Sequence, residues 1–134
     1  MKDNELMRND FVMFFDRRKI GHKAKVDQVL RHSCLLLYNA LAEHHSYEDE
    51  AIVNYEDIHP IELTKDVIEK FGFANVDGRI FSFDTGDGDT ISFISVDDGT
   101  WVSGRIKIKY LHELQQVMRM LGIQTEILEN IWEK

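Results

Sequence analysis

The run His112-Glu113-Leu114-Gln115-Gln116 comes within one residue of the His-Glu-x-x-His pattern of zinc hydrolases. That chemistry needs two imidazoles one helical turn apart to hold Zn²⁺, with the glutamate as general base. Gln116 occupies the second ligand position, and an amide is a poor zinc ligand, so the run reads as a surface helix. The string from Asp84 to Ile91 has the Gly-Asp look of a calcium loop. An EF-hand needs oxygen ligands at positions 1, 3 and 5 before its glycine. Counting from Asp87 puts Ile91 at position 5, and counting from Asp84 puts Gly86 at position 3. The string therefore reads as a hairpin turn, with Asp84, Asp87 and Asp89 offering only weak cation binding. His44-His45 beside Glu48, Asp49 and Glu50 supplies ligand types without a fixed geometry and reads as a polar loop. Cys34 lies in a leucine run, where a thiol is buried and inert rather than nucleophilic. No glycine-rich phosphate loop, serine elbow or dinucleotide fingerprint is present. No catalytic, cofactor-binding or metal residue is assigned, and no enzyme activity is expected.

Charge separates the remaining options. The chain has 134 residues and a net charge of −8, distributed unevenly. Residues 1–34 carry eight Lys/Arg against five Asp/Glu, residues 35–100 three against fifteen, and residues 101–134 five against four. An acidic middle repels phosphate backbones, so general nucleic-acid binding is disfavoured. Arg17-Arg18-Lys19, with Lys23 and Lys25, is the one basic cluster. It reads first as a solvated hairpin tip; the alternative is a phosphate contact, with Phe14 or Phe15 available to stack on bases. The acidic segment reads as a solubilising surface that could also engage a basic protein partner. The single Cys fits a reducing cytosol. The polar, acidic start is unlike a leader peptide, and no 18-residue apolar run exists to span a membrane.

These residues need elements to hold them. Phe11–Phe15 reads as a strand apolar on both faces, Lys23–Leu30 as a second, and Ala51–Val53 as a third. Cys34–Tyr38 fits strand or helix by pattern alone. Pro60 drives His59 extended, and Thr64 then caps a short helix. Leu63 and Ile68 fall at hydrophobic-staple positions, Val67, Ile68 and Phe71 share a face, and Gly72 is the stop. Strands at 80–83, 91–96 and 101–109 follow, separated by Gly-containing turns, with Arg105–Lys109 alternating strictly. Tyr110–Leu121 is an amphipathic helix whose apolar stripe is Tyr110, Leu111, Leu114, Val117, Met118 and Leu121. His112, Gln115, Gln116 and Arg119 lie opposite it, Gly122 ends it, and the apolar residues of 125–132 suggest a docked tail.

Taken together, Pro60-Ile61-Glu62-Leu63-Thr64, Phe71-Gly72-Phe73 and Ile108-Lys109-Tyr110-Leu111-His112-Glu113-Leu114-Gln115 resemble a set of small uncharacterised proteins of Bacteroidetes genomes, their phages and mobile elements. Glu5–Val12 is similar to their opening, with Asn9 in place of the usual Gly, and residues 39–50 look like an insertion. The resemblance implies a small SH3-like β-barrel at the N-terminus and so favours strand for 34–38. It brings no assigned activity. The expected fold is α+β: a β-barrel subdomain over 1–58, then a helix, an antiparallel meander and a C-terminal helix over 59–134. The expected function is a cytoplasmic, non-enzymatic accessory protein. It would bind an unidentified protein through its acidic surface or, alternatively, nucleic acid through Arg17, Arg18, Lys19, Lys23 and Lys25.

Overall fold

The computed structural model describes residues 5–38, 49–86 and 88–123. The chain is mixed α+β and divides into two compact units between Ile61 and Glu62. Among the described residues no helix is long and apolar enough to cross a membrane.

The first unit is one antiparallel sheet of β1 (Phe11–Phe15), β2 (Gly21–Val29), β3 (Ser33–Tyr38), β4 (Asp49–Asn54) and β5 (Ile58–Pro60). The segment 34–38 is thus a strand, as the resemblance favoured. Asp49 and Glu50 belong to β4 rather than to a loop, while residues 44–48 lie outside the described residues. The strand order is β4-β3-β2-β1-β5, so β4 and β5 form opposite edges. Yet β4 and β5 are consecutive, joined only by the 3₁₀ turn Tyr55–Asp57. Four inter-strand gaps span ~19 Å in a flat sheet, whereas a turn of this kind advances only ~2 Å per residue. The sheet must therefore curl until its edges approach. Its core shows the same curvature. Val12 and Phe14 of β1, Ala24 and Val26 of β2, Cys34 and Leu36 of β3, and Ile58 of β5 form one cluster with Tyr55, while Ala51 and Val53 of β4 pack against it. The expected closed barrel is not found. Among the described residues no ladder joins β4 to β5. Tyr55 holds the turn in place: its hydroxyl donates to the Leu30 carbonyl at the β2–β3 bend. Ahead of β1, Asn9 sits at φ +73°, the left-handed region that asparagine tolerates better than other non-glycine residues.

In the second unit, α1 (Lys65–Lys70) precedes a five-stranded antiparallel meander, and α2 (Leu111–Met120) follows it. Thr64 Oγ1 accepts from Val67 N at 3.3 Å, as the capping pattern requires. Gly72 follows at φ +101°, where Gly72 N donates to Glu69 O and Phe73 N to Ile68 O. The strands are β6 (Ala74–Asp77), β7 (Ile80–Asp84), β8 (Thr90–Ser95), β9 (Trp101–Ser103) and β10 (Ile106–Ile108), paired in sequence order. The expected single strand over 101–109 is instead a hairpin. Gly104 at φ +59° reverses the chain, and Ile106 pairs back on Ser103. The alternating run 105–109 begins directly after this glycine, so its period continues that of the preceding strand across the turn.

The core of this unit is aromatic: Phe81 packs edge-on against Trp101, and Phe73 lies against Phe83 and Phe93. Trp101 Nε1 donates to Leu63 O at 2.6 Å, so the buried indole leaves no unpaired donor. Ile68, Phe71, Leu111, Leu114 and Met118 are fully buried. The buried face of α2 is turned from the expected stripe. His112 and Gln115 are buried, whereas Leu121 is 55% exposed. The residues of 124–134, including the suggested docked tail, lie outside the described residues.

Leu114→Asp puts a carboxylate where a leucine is fully buried. It loses ~1.5–3 kcal/mol of apolar burial and adds a desolvation penalty of several kcal/mol. The expected outcome is loss of the cooperative melting transition of the second unit by circular dichroism; a soluble variant with an unchanged melting curve would contradict this packing.

Candidate functional site

The β1–β2 hairpin turns through Asp16-Arg17-Arg18-Lys19-Ile20. Lys19 N donates to Asp16 O at 2.9 Å, and Asp16 N to Ile20 O at 3.0 Å. Lys19 then takes φ +62°, the place where such hairpins prefer glycine. A side chain there costs roughly 1–2 kcal/mol of backbone strain. The surroundings over-determine the turn. Asp16 Oδ1 accepts from Arg18 N at 2.8 Å and from Ile20 N at 3.0 Å. His22 Nε2–H donates to Asp16 Oδ2 at 2.9 Å, and the His22 ring packs against Phe14 and Tyr38. The result is an anchored tip on which Arg17, Arg18 and Lys19 are all exposed.

Register carries the rest of the basic set onto the outer face of the sheet, which is exposed at Phe15 and covered at Phe11. Lys23 pairs with Met13 and Lys25 with Phe11, the face opposite Val12 and Phe14. Lys23 is exposed and Lys25 half-buried. The five basic residues thus divide into a tip of three and an outer-face pair. Phe14 is 4% exposed and belongs to the core, so it is unavailable for stacking; Phe15 alternates outward and is 52% exposed. No pattern along a single strand marks two further residues here. His22 lies six positions from Asp16 and meets it only through strand pairing. His59 comes from β5, opposite Met13, and its ring stands edge-on to Phe15 at 5.5 Å. Alternation along β1 puts Phe14 and Phe15 on opposite faces but does not specify which face is covered.

Glu113 Oε1 accepts from Lys109 N at 2.9 Å and Tyr110 N at 3.1 Å, capping α2. His112 is buried beside Tyr110, with which it stacks, so the His-Glu run is not a surface feature. Burial pushes the Cys34 thiol up from its ordinary range, outweighing a hydrogen bond with Tyr55 that lowers it. Asp84 Oδ1 accepts from Gly86 N at 2.9 Å, and Asp87 lies outside the described residues. A cleft of about 760 Å³ beside this turn is lined by Asp84, Asp89, Ser92, Ser103, Ile106 and Leu121, among others. Among the described residues no three His, Cys, Asp or Glu side chains converge on a point.

Comparison of the chain with protein-family models, with curated proteins and with solved structures finds no match.

Asp16 links this turn to pH. The hydrogen bond from His22, with those from Ile20 and Arg18, holds its carboxyl below the ordinary 3.8. A carboxylate favoured by folding contributes stability that is complete above its unfolded pKa and lost as pH falls through the folded value. Asp98, held low by Thr100, adds a dependence of the same sign. Acidification from about pH 5 to about pH 2 should therefore lower the wild-type melting temperature more than that of Asp16→Asn, which keeps the Asp98 share. Equal acid sensitivity of the two proteins would remove Asp16 from this role.

Proposed function

We propose that the chain is a non-enzymatic accessory protein whose first unit is an SH3-like module that binds nucleic acid through its basic hairpin. The order β5-β1-β2-β3-β4, with a 3₁₀ turn between β4 and β5 and one shared core, supports the SH3-like reading. The observation that carries the function is Lys19. A lysine at φ +62°, where glycine would relieve the backbone, adds a third cation to Arg17 and Arg18 on a hydrogen-bonded tip. Arg17, Arg18 and Lys19 contact phosphate oxygens, and Lys23 and Lys25 extend the positive field along the outer face. The net charge of −8 opposes long-range attraction, so contact is confined to the patch and sensitive to salt. Engagement of three single-strand phosphates gives a log–log salt slope of about −2. The setting is cytoplasmic, in a bacterium, phage or mobile element.

The acidic turns of the second unit support a second reading, a basic protein partner. Asp77, Asp84, Asp89, Asp97 and Asp98 lie at hairpin ends, and the Asp97 side chain is 94% exposed even though it reaches Arg79 at 3.6 Å. Salt-sensitive capture of a basic protein, abolished by Asp97→Lys/Asp98→Lys, would favour that reading over the first.

The main reading is tested by gel shift at low salt. The wild-type protein should retard oligonucleotides, and Arg17→Glu/Arg18→Glu should abolish the shift while leaving the melting temperature unchanged. No shift by the wild-type protein rejects it. Lys19→Gly should raise stability by about 1 kcal/mol and weaken binding. A gain of stability with undiminished affinity would show that the strained lysine serves no ligand.

A further inference from the structure

We infer that the outer face of the first unit selects single-stranded nucleic acid by stacking an unpaired base on Phe15. The inference rests on the reading of the basic tip as a phosphate contact and adds to it which form of nucleic acid is bound. Phe15 is the last residue of β1, immediately before the turn that carries Arg17, Arg18 and Lys19. Half of its apolar surface stays in water, although it ends a strand whose neighbouring Phe14 is buried. The ring is seated. A Cβ on Gly21, its cross-strand partner, would come within 3.1 Å of Phe15 Cε1, so the ring occupies the space over bare backbone that only glycine leaves. His59 packs edge-on from the other side at an interplanar angle of 71°. An aromatic side chain held on two sides and open on the rest loses little rotamer freedom when a ligand lands on it.

The chemistry around the ring chooses the ligand. Met13 lies one row further along the same face, between His59 of β5 and Lys23 of β2, and the turn carrying Arg17, Arg18 and Lys19 follows Phe15 directly in the chain. An apolar ring bordered by cations fits a ligand that is flat, aromatic and joined to phosphates. Base–aromatic stacking tolerates any base, because every base has a π-face. In a duplex those faces are already stacked on one another, and the ring would meet only phosphate and sugar. The acidic remainder of the chain also disfavours wrapping a long duplex, whereas a short single strand needs only the tip and the ring.

The test is fluorescence anisotropy at low salt with four probes: a labelled oligothymidylate, an oligouridylate, a DNA duplex of the same length, and inorganic polyphosphate as a base-free polyanion. Phe15→Ala should weaken one or both single strands about fivefold to hundredfold and leave polyphosphate unchanged. Phe15→Trp should retain single-strand binding, and its added indole emission should be quenched on binding. Melting temperatures of both variants near that of the wild type show that the loss is not unfolding. If duplex is bound as tightly as single strand, or Phe15→Ala leaves single strands unaffected, stacking is overturned while the basic-tip reading survives. If the wild-type protein binds none of the four probes, the basic-tip reading itself falls.

Discussion

Three residues, Tyr55–Asp57, carry the chain from one edge of the first sheet to the other, and much else in that unit follows from how little distance they cover. A flat sheet cannot be bridged so briefly, so the strands curl, and curling turns one face of five strands into a single enclosed core. The same turn brings Tyr55 to the Leu30 carbonyl and sets its hydroxyl against Cys34. The single cysteine is thereby buried beside that hydroxyl, and burial pushes its thiol up from its ordinary range.

Curling also has an outside. Once Val12 and Phe14 are committed to the enclosed face, strand alternation sends Met13 and Phe15 outward, and antiparallel register places Lys23, Lys25 and His59 with them. The basic tip is then held by a polar anchor, Asp16, which accepts two backbone amides and the His22 imidazole. Strain at Lys19 and rigidity at Asp16 belong together: a left-handed lysine persists only where its neighbours leave the turn no alternative.

The second unit depends on local signals. Thr64 and Gly72 open and close α1 as their positions imply, because capping is settled within a few residues. Gly104 is a local signal of the same kind, although strict alternation resumes directly after it. Helix α2 shows where local reasoning stops. Its apolar stripe is a property of the sequence, but which side is covered is decided by what packs there. The buried face is rotated toward His112 and Gln115, leaving Leu121 in solvent. Glu113, half of an apparent metal motif, serves the helix terminus.

The sequence by itself determined the α+β class, most strands, the capped helix, the basic cluster at residues 17–19 and the lack of a recognisable reaction motif. These rest on periodicity, turn residues and caps, whose physics acts over a few positions. Tertiary structure alone decided that the first sheet curls without closing. It also decided that Phe15 rather than Phe14 faces water, that His59 of β5 joins the hairpin from elsewhere in the chain, and that His112 is buried. Each of these depends on strand pairing or packing between segments distant in sequence, and hydropathy along one segment does not specify which other segment will cover it.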